Sequence, residues 1–127
     1  MAIVEQTILI VDDDPFILDL VSRFLKSKGF RVLMTTDPEK AYKLAENEVP
    51  RLIISDIAMP GLDGFTLFQG FKGNRVTSKI PLVLLTGSDK LADIEKGYAS
   101  GAQVYLLKPI DWATAWPKLE ALLATQA

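Results

Sequence analysis

Five short apolar segments alternate along the chain with five segments whose apolar residues recur at helical spacing, and this alternation restricts the possible folds more than any other feature. The predicted strands cover residues 7–11, 31–35, 52–55, 81–85 and 103–107. Strands that alternate with helices form a parallel sheet covered by helices on both faces. Right-handed crossovers with one reversal of order then predict a flavodoxin-like, doubly wound α/β fold with strand order 2-1-3-4-5.

Residues with strong positional preferences mark the ends of two predicted helices. Asp14 is suited to cap the first helix, and Pro15 is suited to its first position. The last helix is predicted to start near Asp111, but Pro117 falls inside it, where a proline removes a backbone hydrogen bond and clashes with the preceding turn. We therefore expect either a kink at Pro117 or a regular helix that starts later, near Thr114.

The composition excludes several kinds of chemistry. The chain has 127 residues, neither cysteine nor histidine, and a formal net charge of -2. Disulfides, thiolate or imidazole metal sites, Ser-His or Cys-His catalysis and a phosphohistidine relay within the chain are thereby ruled out. This length predicts one domain over residues 1–127. With no basic leader, no membrane-length apolar stretch and little net charge, we expect a cytoplasmic protein that binds neither membranes nor nucleic acid.

Polar side chains follow four of the five predicted strands, at the point where each strand ends. Because the carboxyl ends of parallel strands meet at one edge of the sheet, these side chains are expected to converge there. Taken singly, each has a commoner explanation as a helix cap or a solvated side chain, but matched chemistry at four strand ends favours a functional site. The set consists of Asp12, Asp13 and Asp14 after the first strand, Asp56 after the third, Thr86 after the fourth and Lys108 after the fifth.

This set of side chains points to a metal ion and a phosphoryl group. Unpaired carboxylates on one rim would repel each other and raise the pKa of at least one of them. A hard divalent cation with oxygen ligands and waters relieves the repulsion, which describes Mg²⁺, with Mn²⁺ as a possible substitute. Asp56 is then the candidate nucleophile that forms an acyl phosphate, and Lys108 and Thr86 are the donors that hold its oxygens.

The motifs at these strand ends resemble those of the receiver domain of two-component response regulators, over essentially the whole chain. The resemblance rests on their order and spacing together. The stretches that carry it are Ile8–Pro15, Ser55–Gly64, Leu84–Gly87, Ser100–Ala102 and Tyr105–Pro109. It implies a phosphorylation-dependent signalling module, with no output domain in this chain and no enzymatic activity beyond self-phosphorylation from a donor and slow autodephosphorylation.

The resemblance also implies a donor and a set of metal ligands. Asp56 would accept a phosphoryl group from a histidine kinase or a histidine phosphotransfer protein. Asp13 and Asp56 would bind Mg²⁺ directly, together with the backbone carbonyl of Ala58, whereas Asp12 would act mainly through water. Asp14 has no such role and keeps its predicted function as a helix cap.

A conformational switch is implied as well. Thr86 and Lys108 would contact the phosphoryl oxygens, and the Lys108-Pro109 peptide would be cis. As Thr86 moves toward the phosphoryl group, the ring of Tyr105 would change rotamer and rotate inward, unless Tyr105 is simply a half-buried strand residue. The surface formed by the fourth helix, the fifth strand and the fifth helix would carry the contacts to a partner, although Pro117 departs from the usual sequence there.

A second class of function uses another carboxylate. Asp12 and Asp14 form an Asp-x-Asp motif after the first strand, as in aspartyl-phosphate phosphatases of the haloacid dehalogenase type, in which Asp12 would be the nucleophile. That family usually has a longer chain and an acidic pair after the lysine, whereas here Asp111 is the nearby acid. Three carboxylates would repel a flavin phosphate, and no Gly-rich loop ends in Gly-Lys-Ser/Thr, which argues against flavin and nucleotide binding.

Overall fold

The protein folds into alternating strands and helices, as the sequence predicts. A computed structural model provides the structure and describes residues 6–56, 64–87 and 89–124. Within these ranges the elements, in chain order, are β1 Thr7–Val11, α1 Pro15–Ser27, β2 Arg31–Thr35, α2 Pro38–Glu48, β3 Leu52–Ser55, α3 Gly64–Lys72, β4 Leu82–Thr86, α4 Leu91–Ala99, β5 Ala102–Leu107 and α5 Trp112–Ala124.

The strands form one parallel sheet in the order β2-β1-β3-β4-β5, which confirms the predicted topology. Successive strand residues point to opposite faces, so each central strand contributes to two core layers. Ile8 and Ile10 of β1 pack with α1 and α5, whereas Leu9 and Val11 pack with α2, α3 and α4. β1, β3 and β4 are buried along their whole length, which explains their unbroken apolar sequences.

The predicted caps position the chain just after β1. The carboxylate of Asp14 accepts a hydrogen bond from the N–H of Phe16 at 2.9 Å, and Pro15 opens α1. Asp37 caps α2 in the same way, through the N–H of Glu39 at 2.9 Å. Because Asp14 satisfies an otherwise unpaired helix donor, its side chain is committed to α1, as predicted.

The last helix includes Pro117 and still starts close to the predicted position near Asp111. α5 is helical from Trp112, so a regular helix that begins near Thr114 is not observed, and Pro117 lies within it. A proline inside a helix costs about 3 kcal/mol or more, because it removes one hydrogen bond and crowds the preceding turn. Packing against α1 offsets this cost, with the rings of Trp112 and Phe24 stacked at 3.8 Å between centroids. Phe24 also meets Trp116 edge-on at 5.7 Å.

α3 is a regular helix despite its two glycines. Its apolar residues Phe65, Leu67, Phe68 and Phe71 are all buried, so tertiary packing compensates for weak helix propensity. Gly70 lies where the ring of Tyr42 from α2 crosses α3, and a Cβ atom at that position would overlap the ring. Gly70 lowers the helix propensity of α3, but the packing of α2 on α3 requires it.

Candidate functional site

Three carboxylates meet at the carboxyl ends of β1 and β3. Asp12 and Asp13 follow β1, and Asp56 follows β3. Each offers a carboxylate oxygen that lies within 4.8 Å of the other two. Asp12 and Asp56 are buried, whereas Asp13 is exposed. The structure therefore brings together the three acids that the strand pattern predicts would converge, and we call them the acidic cluster.

The register of the sheet places two of these acids side by side. Val11 pairs with Ser55 at the ends of β1 and β3, so the next residues, Asp12 and Asp56, are neighbours. Their backbones continue the ladder one residue beyond the strands. The N–H of Asp56 donates to the carbonyl of Val11 at 3.0 Å, and the N–H of Asp12 donates to the carbonyl of Thr35 at 3.3 Å. The sheet itself thus holds both carboxylates in place.

Lys108 joins the acidic cluster from β5. Its Nζ donates to Oδ2 of Asp12 at 2.8 Å and to Oδ2 of Asp56 at 3.0 Å. The side chain of Lys108 is 20% exposed and that of Asp12 is 1% exposed, so the ion pair is largely shielded from water. The Lys108-Pro109 peptide is cis, as expected, and the N–H of Lys108 donates to the carbonyl of Thr86 at 2.8 Å.

Burial, hydrogen bonds and neighbouring charges set the pKa values of Asp12 and Lys108. Burial raises the pKa of Asp12, and the hydrogen bonds from Lys108 and from the N–H of Asp14 oppose this only in part. Burial would lower the pKa of Lys108, but its hydrogen bonds to Asp12 and Asp56 and their charges raise it overall. Lys108 is therefore an ammonium at neutral pH. One ammonium carries less charge than three ionised carboxylates, so the cluster would favour a further cation.

The other predicted site residues do not belong to the acidic cluster itself. Thr86 ends β4, is buried, and contacts Lys108 through its backbone. Asp14 belongs to the α1 cap rather than to the cluster. The carbonyl of Ala58, predicted as a metal ligand, lies outside the described residues.

Tyr105 is more deeply buried than a half-buried strand residue, with 8% of its surface exposed. It packs in the core layer beneath α3 and α4. The inward rotation predicted for its ring assumed an outward starting position, whereas the ring in this structure is already inside. Gly97 of α4 makes the room, because a Cβ atom there would lie 3.2 Å from the Tyr105 ring and 2.5 Å from Leu84. Sequence reasoning missed Gly97, although an isolated glycine inside a helical pattern was a usable signal.

Comparison with known proteins identifies the family to which this arrangement belongs. A family model of the response regulator receiver domain matches residues 8–117. The chain belongs to this family. The receiver domain is the phosphorylation-dependent signalling module of two-component systems, and the match confirms both the fold and the family that the motifs predict.

Two relatives and one solved structure illustrate the similarity. Protein PilH of Pseudomonas aeruginosa is 36% identical, over 92% of this chain and 97% of PilH. The DNA-binding transcriptional regulator RpaA of Synechocystis is 40% identical, but this chain spans only 48% of its length. The receiver domain of a sensor histidine kinase from Pseudomonas aeruginosa, solved with a magnesium ion in its active site cleft, has a TM-score of 0.86 and 27% identity, covering 95% of this chain and 99% of that one.

The phosphatase alternative receives no support from the relatives or from the geometry of this receiver domain. Both oxygens of Asp12 are engaged, Oδ1 by the N–H of Asp14 at 2.9 Å and Oδ2 by Lys108. A carboxylate with 1% exposure and two partners is poorly placed to attack phosphorus.

Among the described residues, no helix is long and apolar enough to cross a membrane.

Proposed function

We propose that Asp56 is the phosphoacceptor of this receiver domain, and that its donor is the phosphohistidine of a histidine kinase or histidine phosphotransfer protein. The observation that carries the proposal is that Lys108 bridges Asp56 and Asp12 inside the acidic cluster, while the side chain of Asp56 keeps 10% exposure against 1% for Asp12. Asp56 is thus the more accessible of the two carboxylates that Lys108 holds. No further enzymatic turnover is proposed beyond slow loss of the phosphoryl group to water.

The proposed transfer needs a carboxylate that is held in place and a nearby cation. One oxygen of Asp56 forms a bond to phosphorus as the phosphorus–nitrogen bond to the donor imidazole breaks, and that nitrogen keeps the electron pair and takes up a proton. Lys108 lies within hydrogen-bond distance of Asp56, so its ammonium can hold an oxygen of the incoming group. Thr86, at the end of the neighbouring strand β4, supplies a hydroxyl donor on the same edge.

The acidic cluster fits Mg²⁺. Three carboxylate oxygens within 4.8 Å of one another are the hard oxygen donors that this ion prefers, and Mn²⁺ accepts the same ligands. Asp13 and Asp56 would hold the ion directly, and Asp12, which is already bonded to Lys108, would act through water. Bound Mg²⁺ would offset the negative charge that otherwise repels a phosphoryl group.

Metal binding is expected to depend strongly on Asp13. Asp13→Asn removes a directly bound anion, so we expect Mg²⁺ affinity to fall at least about tenfold in isothermal titration calorimetry. Asp14→Asn is the matched control, because it removes the same charge one residue away while asparagine still caps α1. Equal affinity of the Asp13→Asn variant and the parent would show that Asp13 is not a ligand.

We propose that phosphorylation acts on the surface formed by α4, β5 and α5 through Thr86 and Tyr105. A phosphoryl group adds roughly -1.5 to -2 charges and strong acceptor oxygens, which attract the Thr86 hydroxyl. The Tyr105 ring packs beside Gly97 and Leu84, so movement at the end of β4 changes the space available to it. The buried position of the Tyr105 ring allows α4 to pack closely on β5. Phosphorylation would favour one position of α4 over others.

Removal of the Thr86 hydroxyl is expected to separate phosphorylation from this response. Thr86→Ala should still accept phosphate, because Asp56, Lys108 and the metal ligands remain. We expect hydrogen exchange of α4 and β5 to change on addition of beryllofluoride in the parent and to change much less in the variant. Thr7→Ala, which removes another buried hydroxyl at the opposite edge of the sheet, should respond like the parent. An equal response of parent and Thr86→Ala would contradict the proposed coupling.

The phosphoacceptor itself is identified by chemical trapping. The protein is incubated with acetyl phosphate and Mg²⁺, the acyl phosphate is reduced with borohydride, and the reduced residue is located by peptide mass spectrometry. Reduction at Asp56 supports the proposal, whereas reduction at Asp12 would support the phosphatase chemistry instead.

The expectation that this chain does not bind nucleic acid remains a prediction, since RpaA, which is described as DNA-binding, extends well beyond the matched region.

A further inference from the structure

A groove of about 470 Å³ crosses the outer edge of β2. Since α1 and α2 cover opposite faces of the sheet, a groove lined by both must straddle the sheet edge between them. We call it the β2 groove. Its principal lining residues are Leu18 of α1, Met34 and Thr35 of β2, and Lys40, Lys43 and Leu44 of α2.

The backbone of β2 can accept another strand along this groove. Among the described strands, β2 pairs with β1 alone and forms one end of the sheet. The N–H of Arg31 donates to Gln6, and the carbonyl of Thr35 accepts from Asp12, so these alternate residues face β1. In a parallel ladder the residues between them, Val32 and Met34, turn their N–H and carbonyl groups away from β1. A strand edge that no described strand covers is a template for an extended peptide.

The side chains of the β2 groove have a consistent chemistry. Met34 is a large apolar side chain that is 44% exposed, and Leu18 and Leu44 line the groove with it. Both charged residues that line the groove are lysines, and both are exposed. Lys40 and Lys43 are three positions apart on α2 and so project from the same side of the helix. The groove therefore combines an apolar base with a positively charged rim.

We propose that the β2 groove binds an extended acidic segment of a partner protein, which adds to β2 as an extra strand. Such a segment would place an apolar side chain against Met34 and carboxylates near Lys40 and Lys43, with main-chain hydrogen bonds to β2. A second copy of this chain fits less well, because pairing through β2 would bring the lysine rims of both copies to one edge. The proposal is independent of phosphoryl transfer, although Thr35 links the groove to the backbone of Asp12.

The test uses the full chain and a short fluorescein-labelled peptide of alternating glutamate and valine, followed by fluorescence anisotropy. We expect saturable binding that weakens with salt, and at least about tenfold weaker binding by the Lys40→Glu/Lys43→Glu variant, since like charges then face each other. Lys26→Glu/Lys79→Glu makes the same charge change at exposed lysines outside the groove and should bind like the parent. Tight binding of a peptide of alternating lysine and valine would overturn the proposal, and so would equal weakening in both variants.

Strand addition to β2 can be tested separately from the charge of the peptide. A glutamate–valine peptide that is N-methylated at every residue cannot donate to the ladder in either strand direction and should bind at least about tenfold more weakly. The amides of Val32 and Met34 should exchange more slowly in the complex with the unmodified peptide. Equal binding of the methylated peptide would overturn strand addition. Sedimentation that shows dimerisation suppressed by the peptide would overturn the choice of partner, because a second copy would then be the occupant.

Discussion

Replacement of Asp56 by asparagine is expected to abolish phosphorylation of the chain by acetyl phosphate. Asparagine keeps the size of the side chain but offers a neutral amide in place of the carboxylate that attacks phosphorus. Intact-mass analysis of the parent in Mg²⁺ should show one added phosphoryl group. The Asp56→Asn variant should show none above background, and neither should the parent in excess chelator.

Neighbouring acids provide the controls for this experiment. Asp14→Asn removes a carboxylate that caps α1 and should leave phosphorylation close to that of the parent. Asp13→Asn should retain the reactive carboxylate but need more Mg²⁺ to reach the same rate. Full incorporation of phosphate by Asp56→Asn would place the acceptor elsewhere. Loss of incorporation in all three variants would indicate a general effect on the acidic cluster rather than a role specific to Asp56.

Replacement of Lys108 by methionine is expected to cause the largest loss of stability at the site. Lys108 is the ammonium that bridges Asp12 and Asp56, and without it the buried carboxylate of Asp12 loses its positively charged partner. Breaking a buried ion pair costs about 3–5 kcal/mol, and we expect about 3 kcal/mol, since the Lys108 side chain is partly exposed. Urea unfolding with chelator at neutral pH measures the difference. Lys118→Met, at an exposed position, should change stability by less than about 0.5 kcal/mol.

Metal and pH should each reduce this difference in stability. Mg²⁺ bound to the acidic cluster replaces part of the lost positive charge, so its addition should stabilise Lys108→Met more than the parent. At low pH the carboxylates are protonated and Lys108 has no anion to neutralise, so parent and variant should converge. At high pH a different limit applies. The pKa of Lys108 is raised in the folded protein, so while the carboxylates are ionised Lys108 contributes to the free energy of unfolding up to the ordinary lysine pKa, and this contribution is lost as the pH rises through the raised value. A gap that is unchanged by Mg²⁺ and by acid would show that Lys108 acts by packing rather than by charge.

Much of this molecule could be predicted from local patterns. The five strands and their order follow from the alternation of apolar runs with helical periodicity, because a parallel sheet can bury such runs in few ways. The cap by Asp14 depends on residues two positions apart, and it is found as predicted. The convergence of Asp12, Asp13 and Asp56 also required nothing more than the topology, since the carboxyl ends of neighbouring parallel strands share one edge.

Other features were decided by contacts between residues that are distant in the sequence. Local propensity at Pro117 disfavours an early start of α5, but α5 is helical from Trp112, whose ring stacks on Phe24 of α1. Tyr105 lies inward because Gly97, on another element, leaves room for its ring. The β2 groove is formed by helices on opposite faces of the sheet. The sequence determined which elements form and where their ends meet, because those are set by periodicity and strand order. The packing of side chains between elements was decided only in the folded protein, since it depends on shapes that neither element carries alone.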